Sequence, residues 1–379
     1  MRSFEYRLYP TKHQEALLDT CLEGCRLLYN EMLELERTTY ESSEKFVWKY
    51  DLGTAFKGRG GECVPQTTVQ CLADRLDKAL KKMGASKELG LRGGFPRFKG
   101  YLGWHSFQLR QWGTSKDVWL ADDRLRVPAK IGKSIKVKLH RPLEGTPKTA
   151  YMVKRIDKWF VVIACESEPV AVVNNEPPIG LDVGLKHFLT DSNGDTVANP
   201  KHYRTTERKL RTQSRRQARR TKGSKGRRQA NIQISKTHLK VERQRRDFHF
   251  KVAKQYSEKA STIFVEDLNI GGMVRNHHLA KSISDAAWGQ FLNIIASRAE
   301  RAGSQVVRVP AQYTSQLCSR CGALVPKSMS VRTHVCTACG YVADRDHNAA
   351  QNILQRGLGK TREGHSLQEP TYEIDQCVS

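Results

Sequence analysis

Four cysteines and three acids are the residues whose types and spacing could do chemistry in this chain. Cys318-Ser-Arg-Cys321 and Cys336-Thr-Ala-Cys339 are two C-x-x-C pairs with 14 residues between them. Each pair forms a knuckle and the intervening hairpin brings the knuckles together, the pattern of a structural four-thiolate zinc ribbon with no position left open for substrate. Seven residues beyond Cys339 stands Asp346, opening a helical stretch, DHNAAQNILQRG. Asp182 sits in an apolar strand, IGLDVGL, and Glu266 at the C-terminal end of another, STIFVEDL, so the acids run Asp, Glu, Asp at intervals of 84 and 80 residues. Each occupies a place where an α/β sheet presents side chains at its active edge. Three carboxylates converging there would coordinate two Mg2+ ions roughly 3.5–4 Å apart. One ion would activate a water, and the other would stabilise the departing 3′ oxygen of a phosphodiester.

The elements that must carry these groups are read from periodicity. Residues 3–10 form a short strand ending at Pro10, and Thr11 with Gln14 makes a capping box for a helix lined by Leu17, Leu18, Cys21, Leu22, Cys25, Leu28 and Met32. A second helix runs from about Thr67 to Met83, with Val69, Leu72, Leu76, Leu80 and Met83 on one face; 58–65 and 84–94 are Gly-rich connectors, and 93–100 is a basic turn. Short strands with turn signals fill 105–168 and predict a small antiparallel barrel; 169–178 reads as a linker. The strand carrying Asp182 pairs with a second whose Asn193-Gly194 predicts a type I′ turn. Residues 204–246 hold 17 Lys or Arg and 2 Glu, helical at both ends and interrupted around Gly223 and Gly226. Residues 284–303 form an amphipathic helix (Trp288, Phe291, Leu292, Ile295) and 304–310 one more strand before the ribbon, while the polar tail after about 358 is expected to be disordered.

The charge balance points to a polyanion. Lys plus Arg number 64 against 39 Asp plus Glu in 379 residues, a formal +25, an excess that repels itself unless nucleic acid neutralises it. No apolar run reaches about 18 residues and the N-terminus lacks a signal-peptide core, so no membrane is expected. The cysteines outside the ribbon (Cys21, Cys25, Cys63, Cys71, Cys165, Cys377) have no framework spacing, which is reduced, cytosolic usage.

Taken together, I-G-L-D-V-G-L, V-E-D-L-N and C-x-x-C…C-x-x-C-G followed by D-R-D-H-N-A-A-Q-N-I resemble the RuvC-type nuclease domain of TnpB, the transposon-encoded RNA-guided DNA nuclease related to type V CRISPR effectors. The N-terminal R-L-Y-P-T-x-x-Q and R-L-L-Y-N, the G-F-P-R-F-K turn and Y-T-S-Q-x-C-S-x-C-G extend the likeness to about residue 356. The resemblance implies a multidomain α+β fold. It has an N-terminal antiparallel β-barrel (wedge-like, 1–10 and 101–170) with an inserted helical recognition module (11–100). A C-terminal RNase H-like (RuvC) α/β domain (171–316 and 342–357) follows, with an inserted four-cysteine zinc ribbon (317–341) and a disordered tail (358–379). It implies Asp182, Glu266 and Asp346 as the catalytic metal-binding acids, Asp346 rather than Asp344 because the family's acid lies two residues before Asn-Ala-Ala. Cys318, Cys321, Cys336 and Cys339 correspond to the ligands of one structural Zn2+, and two Mg2+ serve the active site. Gln70 becomes a candidate reader of the motif beside the target. Arg97, Lys99, Arg215, Arg216, Arg219, Arg220, Arg227 and Arg228 are candidate nucleic-acid contacts, as are Gln316 and Arg320 beside the acids. The implied activity is Mg-dependent cleavage of double-stranded DNA next to a short flanking motif, both strands cut in turn, with double-stranded and single-stranded DNA as target partners. A transposon-derived RNA would be the guide, and the place a bacterial cytoplasm, on the nucleoid when DNA is bound.

Blander readings stand beside these. An Asp before Gly on a strand is most often a turn former, Glu266-Asp267 could be a solvated strand end, and a basic block a solvated helix face. Phe95, Phe98 and Trp104 fit base stacking or core packing, and His277, His278 and His334 read as loop residues rather than ligands. A guide-independent RuvC-like structure-specific nuclease is the main alternative. An RNA-guided repressor would be expected to lose one acid, and a cut-and-paste transposase would end its triad in Glu.

Overall fold

The computed structural model describes residues 1–89, 93–113, 117–167, 174–328 and 330–362, and the chain divides into one unit up to Glu168 and another from Pro169 onward. Cys377, the linker residues 168–173 and the tail from 363 lie outside the described residues.

In the first unit, β1 (Arg2–Tyr9) buries Phe4, Tyr6 and Leu8 by strict alternation. The capping box forms as expected: Thr11 N donates to Gln14 Oε1 at 3.0 Å and Gln14 N to Thr11 Oγ1 at 3.3 Å, opening α1 (Lys12–Ser43). The Gln14 amide also donates to the Gly132 and Ser134 carbonyls at 2.9 and 2.7 Å, which ties the helix start to the sheet. After α2 (Lys49–Ala55), α3 (Gln66–Glu88) runs five residues past Met83, so half of the expected connector at 84–94 is helical. Gly84 costs the helix a little entropy but meets no clash there.

The remaining strands are β2 (Ser106–Leu109), β3 (Trp119–Ala121), β4 (Arg124–Arg126), β5 (Ser134–Lys138), β6 (Thr146–Arg155) and β7 (Lys158–Glu166). With β1 they form one antiparallel sheet in the order β2-β6-β7-β1-β5-β4-β3. The expected barrel is not closed: among the described residues no ladder joins β2 to β3. Closure demands a matched stagger around every strand, and β3 and β4, three residues each, are too short to offer it. Trp104 is 2% exposed in this core, with the Arg75 guanidinium 4.1 Å from its ring, so packing wins over base stacking there.

The second unit holds β8 (Ile179–Val183), β9 (His187–Asp191), β10 (Thr196–Ala198), α4 (His202–Ala218), α5 (Lys225–Lys259) and β11 (Thr262–Glu266). They are followed by α6 (Ile270–Met273), α7 (His277–Ala286), α8 (Trp288–Arg301), β12 (Gln305–Val309), the ribbon hairpin β13 (Thr333–Val335) and β14 (Val342–Asp344), and α9 (Arg345–Arg362). Its sheet has the order β10-β9-β8-β11-β12, with β8, β11 and β12 parallel and β9 and β10 antiparallel. Alternation divides the faces. Ile179, Leu181, Ile263 and Val265 pack with Val252 of α5 and Phe291 and Ile295 of α8, whereas Phe264 and Val309 pack with Ile353 of α9.

Four local expectations change here. The β9–β10 turn is not type I′: Gly194 has φ +93°, but Asn193 does not share the positive φ that a type I′ turn needs at both central residues. Asp191 Oδ1 instead accepts from Asn193 N and Asp195 N at 2.9 and 3.0 Å. The basic helices break at Gly223 (φ +87°) alone; Gly226 lies within α5 because Ser224 caps it, accepting from Arg227 N at 3.2 Å. The predicted 284–303 helix starts at Trp288, after Ala287 takes a left-handed conformation between α7 and α8. His277 and His278 lie in α7 and His334 in β13, not in loops. Among the described residues, no helix is long and apolar enough to cross a membrane.

Candidate active site

Register brings the first two acids together. β8 and β11 are parallel neighbours with Gly180 opposite Phe264 and Leu181 opposite Val265, so Asp182 and Glu266 stand one step further on at the same C-terminal edge. Gly180 and Phe264 face α9: a Cβ on Gly180 would lie 2.3 Å from the Ala350 carbonyl oxygen, and Phe264 packs with Ile353. Side chains two residues apart share a face, so Asp182 and Glu266 also face α9. That helix brings Asp346 in its first turn, where the N-terminal end of the helix dipole favours a carboxylate.

The electrostatics agree with this convergence. Burial pushes the half-buried Asp182 carboxyl well above its usual range, the nearby Glu266 and Asp346 charges push it further, and Arg345 pulls it back. Burial also raises Glu266, opposed by a hydrogen bond from Thr314 and by Arg356. Thr314 Oγ1 donates to Glu266 Oε1. Asp346, 6% exposed, meets Arg345 Nη2 at 3.1 Å and Arg332 Nη1 at 3.7 Å. Asp344 does something different, since its Oδ1 accepts from Asp346 N at 2.8 Å and so caps α9. The carboxylates are neighbours but are spread more widely than the cysteines, which among the described residues form the one group of three or more such ligands within 4.8 Å of one another.

The four cysteines fit a tetrahedral ion. Cys318 Sγ lies 3.7 Å from Cys339 Sγ and Cys321 Sγ 3.5 Å from Cys336 Sγ; a tetrahedron with metal–sulfur bonds of about 2.3 Å has edges of about 3.8 Å. Backbone N–H groups of Cys339 and Ala338 draw the Cys336 thiol down to about 6. The Ala323 amide acts likewise on Cys321, yet hydrogen bonding with Cys339, Cys336 and Cys318, together with desolvation, leaves it pushed up to about 12. Ser319, inside the first knuckle, is stitched to α9. Its N–H donates to Asn348 Oδ1 (2.9 Å), its hydroxyl to Gln351 Oε1 (2.7 Å), and its carbonyl accepts from Gln355 Nε2 (2.8 Å).

Residues 162–277 match a family described as "Probable transposase", 288–353 a "Cas12f1-like, TNB domain", and 1–45 a "Helix-turn-helix domain". "TnpB-like protein L770" of Acanthamoeba polyphaga mimivirus is 24% identical over 391 residues, spanning 94% of this chain and 73% of that protein. A protein of Streptomyces pristinaespiralis named "Putative RNA-guided DNA endonuclease" is 30% identical over 382 residues, 97% of this chain and 92% of that protein. The chain belongs to the TnpB family. A solved structure described as "Cryo-EM structure of the Cas12f1-sgRNA-target DNA complex" shares the fold, with a TM-score of 0.58 at 15% identity over 90% of this chain and 83% of that one. In this TnpB-family chain residues 1–45 are one strand and one 32-residue helix, so the helix-turn-helix description does not fit their conformation.

The candidate nucleic-acid contacts fall in separate places. Within the second unit, α4 and α5 form a hairpin pinned by Thr237 Oγ1 to Gln213 Oε1 and Gln217 Nε2 to Asn231 Oδ1, both 3.0 Å. Its tip gathers Arg215, Arg216, Arg219, Arg220 and Arg228, all exposed, and Arg227, whose Nη1 donates to the Arg220 carbonyl at 2.9 Å. Gln316 is half-buried on the segment between β12 and the first knuckle, and Arg320 is exposed inside that knuckle. Gln70 is exposed on α3 and Arg97 in the turn at 93–100, whereas the backbone of half-buried Lys99 is clamped by Asn30. Thr314, Arg332 and Arg345 were not singled out by the sequence. Only Asp344 carried a readable signal, an acid two residues ahead of a helical acid.

Proposed function

We propose that this protein is the RNA-guided DNA endonuclease of a transposable element, cutting double-stranded DNA beside a short flanking motif. The observation that carries this reading is the meeting of Asp182, Glu266 and Asp346 at one sheet edge, in a chain of the TnpB family. The surrounding unit is read as RNase H-like (RuvC), with the four-cysteine ribbon inserted ahead of its last helix.

All three donors are hard carboxylate oxygens, which suits Mg2+, and Asp182, Glu266 and Asp346 would hold two such ions. When bound, Mg2+ supplies an activated water and neutralises the charge that develops on the departing 3′ oxygen. The residues provide the rest. Asp182 and Glu266 are fixed by the β8–β11 register, Asp346 by the docking of α9, and Arg345 and Arg332 are cations placed to meet a phosphate beside them. Cys318, Cys321, Cys336 and Cys339 would hold one structural Zn2+.

The arginine-rich hairpin tip supplies sequence-independent affinity for a transposon-derived guide RNA and for the DNA strands. Base pairing then reads sequence while the protein reads shape and a short motif. The place of action is the bacterial cytoplasm, on the nucleoid when DNA is engaged. Co-expression with the flanking RNA and a chosen guide, followed by plasmid cleavage in Mg2+ on a library with randomised flanks, tests this. Guide-dependent cutting lost in Asp182→Ala is expected. Cutting that ignores the guide would favour the structure-specific nuclease, and guided binding without cutting the repressor.

A further inference from the structure

The segment from Thr314 to Ser319 joins β12 to the first knuckle and has no regular ladder of its own, so its backbone groups need other partners. One stripe of α9 supplies several of them, at the Thr314, Leu317 and Ser319 carbonyls and the Ser319 N–H. Asn348, Gln351, Asn352 and Gln355 follow the spacing i, i+3, i+4, i+7, which places them on one helix face. A face that docks at that spacing is usually apolar; here it is four amides, with Asn348 and Asn352 buried and each amide bonded to the segment. Asn352, 6% exposed, donates to the Thr314 carbonyl at 2.8 Å and the Leu317 carbonyl at 2.7 Å. Asn348, fully buried, donates to the Leu317 carbonyl at 2.8 Å and accepts from Ser319 N at 2.9 Å. Gln351 and Gln355 take the Ser319 hydroxyl and carbonyl.

At the other end of this segment stands Thr314, 4% exposed. Its hydroxyl has one proton, and of the two acceptors in reach, Glu266 Oε1 is closer than the Ala311 carbonyl at 3.1 Å. The helix that delivers Asp346 therefore also fixes the residue that aims Glu266. We propose that Thr314 is a positioning residue for the Glu266 carboxylate and that Asn352 sets Thr314, which makes α9, the first cysteine knuckle and the carboxylate centre one coupled unit. This rests on the metal-centre reading above and adds to it residues that bear no charge.

The test uses the full-length, zinc-loaded protein and Mn2+ as the probe, with binding followed by titration calorimetry and electron paramagnetic resonance. Asp182→Ala defines which Mn2+ binding belongs to the centre. Thr314→Val keeps the shape and removes the hydroxyl, and is expected to weaken Asp182-dependent binding by about 10–100-fold, the usual effect of losing an outer partner of a metal ligand. Thr314→Ser restores the hydroxyl and the affinity, which a purely structural role would not predict. Asn352→Leu lowers affinity too, and adding Thr314→Val to it brings little further loss, because the two act in series. Zinc content stays at the wild-type level in all of them.

Wild-type Mn2+ affinity in Thr314→Val, equal weakening in the serine and valine variants, or a fully additive double variant each overturns the inference while leaving the metal centre standing. If wild type shows no Asp182-dependent binding, the centre itself is lost and the inference with it. Should Asn352→Leu fail to fold, the Thr314 pair decides alone.

Discussion

Gly180 and Leu354 meet so closely where β8 passes under α9 that a Cβ on Gly180 would stand 2.7 Å from the Leu354 backbone nitrogen. The obstacle is helix backbone, which cannot turn aside as a side chain could. Gly180→Ala is therefore expected to lift α9 and with it Asp346. Overpacking of this kind costs about 1–3 kcal/mol, and displacing a reacting group by about 1 Å can cost roughly 100-fold in rate. Melting and cleavage assays should show both losses. Gly84→Ala, in a helix with open space around it, should instead stabilise by up to about 1 kcal/mol and leave cleavage alone.

Asp182 is held among like charges against the cost of burial. Asp182→Asn should lower cleavage by about three orders of magnitude, the equivalent of several kcal/mol of metal-assisted stabilisation. In chelator, the same variant should melt at a higher temperature than wild type, since it removes one of the repelling groups. A lower melting point would show that the Asp182 charge is not opposed by its neighbours.

His249 gives a pH dependence of definite sign. It is fully buried among Phe188, Phe248 and Phe291, and burial lowers it from 6.5 to about 4. The unfolded chain therefore binds the extra proton between about pH 6.5 and 4 while the folded chain does not, so stability falls as pH falls through that window. The shift corresponds to about 3 kcal/mol. His249→Phe should flatten this part of the curve, checked by urea unfolding at several pH values.

Metal content should be one zinc per chain, lost in Cys339→Ser. Because such sites contribute about 10–16 kcal/mol of binding to the fold around them, hydrogen exchange should then rise sharply over 317–344. Protection in the β1–β7 sheet should stay as it was.

The arm formed by α4 and the start of α5 buries only Leu210, Thr237 and Val241, and its exposed surface is dominated by arginine and lysine. Replacing Arg215, Arg216, Arg219 and Arg228 with Ala should weaken RNA binding. It should also reduce the slope of log affinity against log salt by roughly 0.7–0.9 for each phosphate contact removed. An unchanged slope would mean the hairpin tip does not touch the nucleic-acid backbone.

Local signals were legible in the sequence and closures were not. Asp182 and Glu266 stand out because each is an acid at the end of an apolar strand, and the Thr11–Gln14 box because both partners lie within four residues. Gly223 and Gly226 look alike, yet only the second follows a serine able to cap a helix, and that serine decides where α5 begins. Whether β2 and β3 pair depends on strands with no local mark of their partners. The bond from Thr314 to Glu266 spans 48 residues and has no periodic or motif signature at all.

The position of α9 in chain order also fixes when the centre can exist. β8, β11 and the arginine-rich hairpin all precede Arg345, while Asp346 and the amides that hold the Thr314 segment follow it. A chain leaves the ribosome N-terminal end first, at about 5–20 residues per second. A nascent molecule thus carries its basic arm and two acids for several seconds before the third acid emerges. On the proposed reading of the three acids, during that interval it has the charge to collect RNA but lacks the last of the metal-holding carboxylates, so guide loading can begin before the blade is assembled.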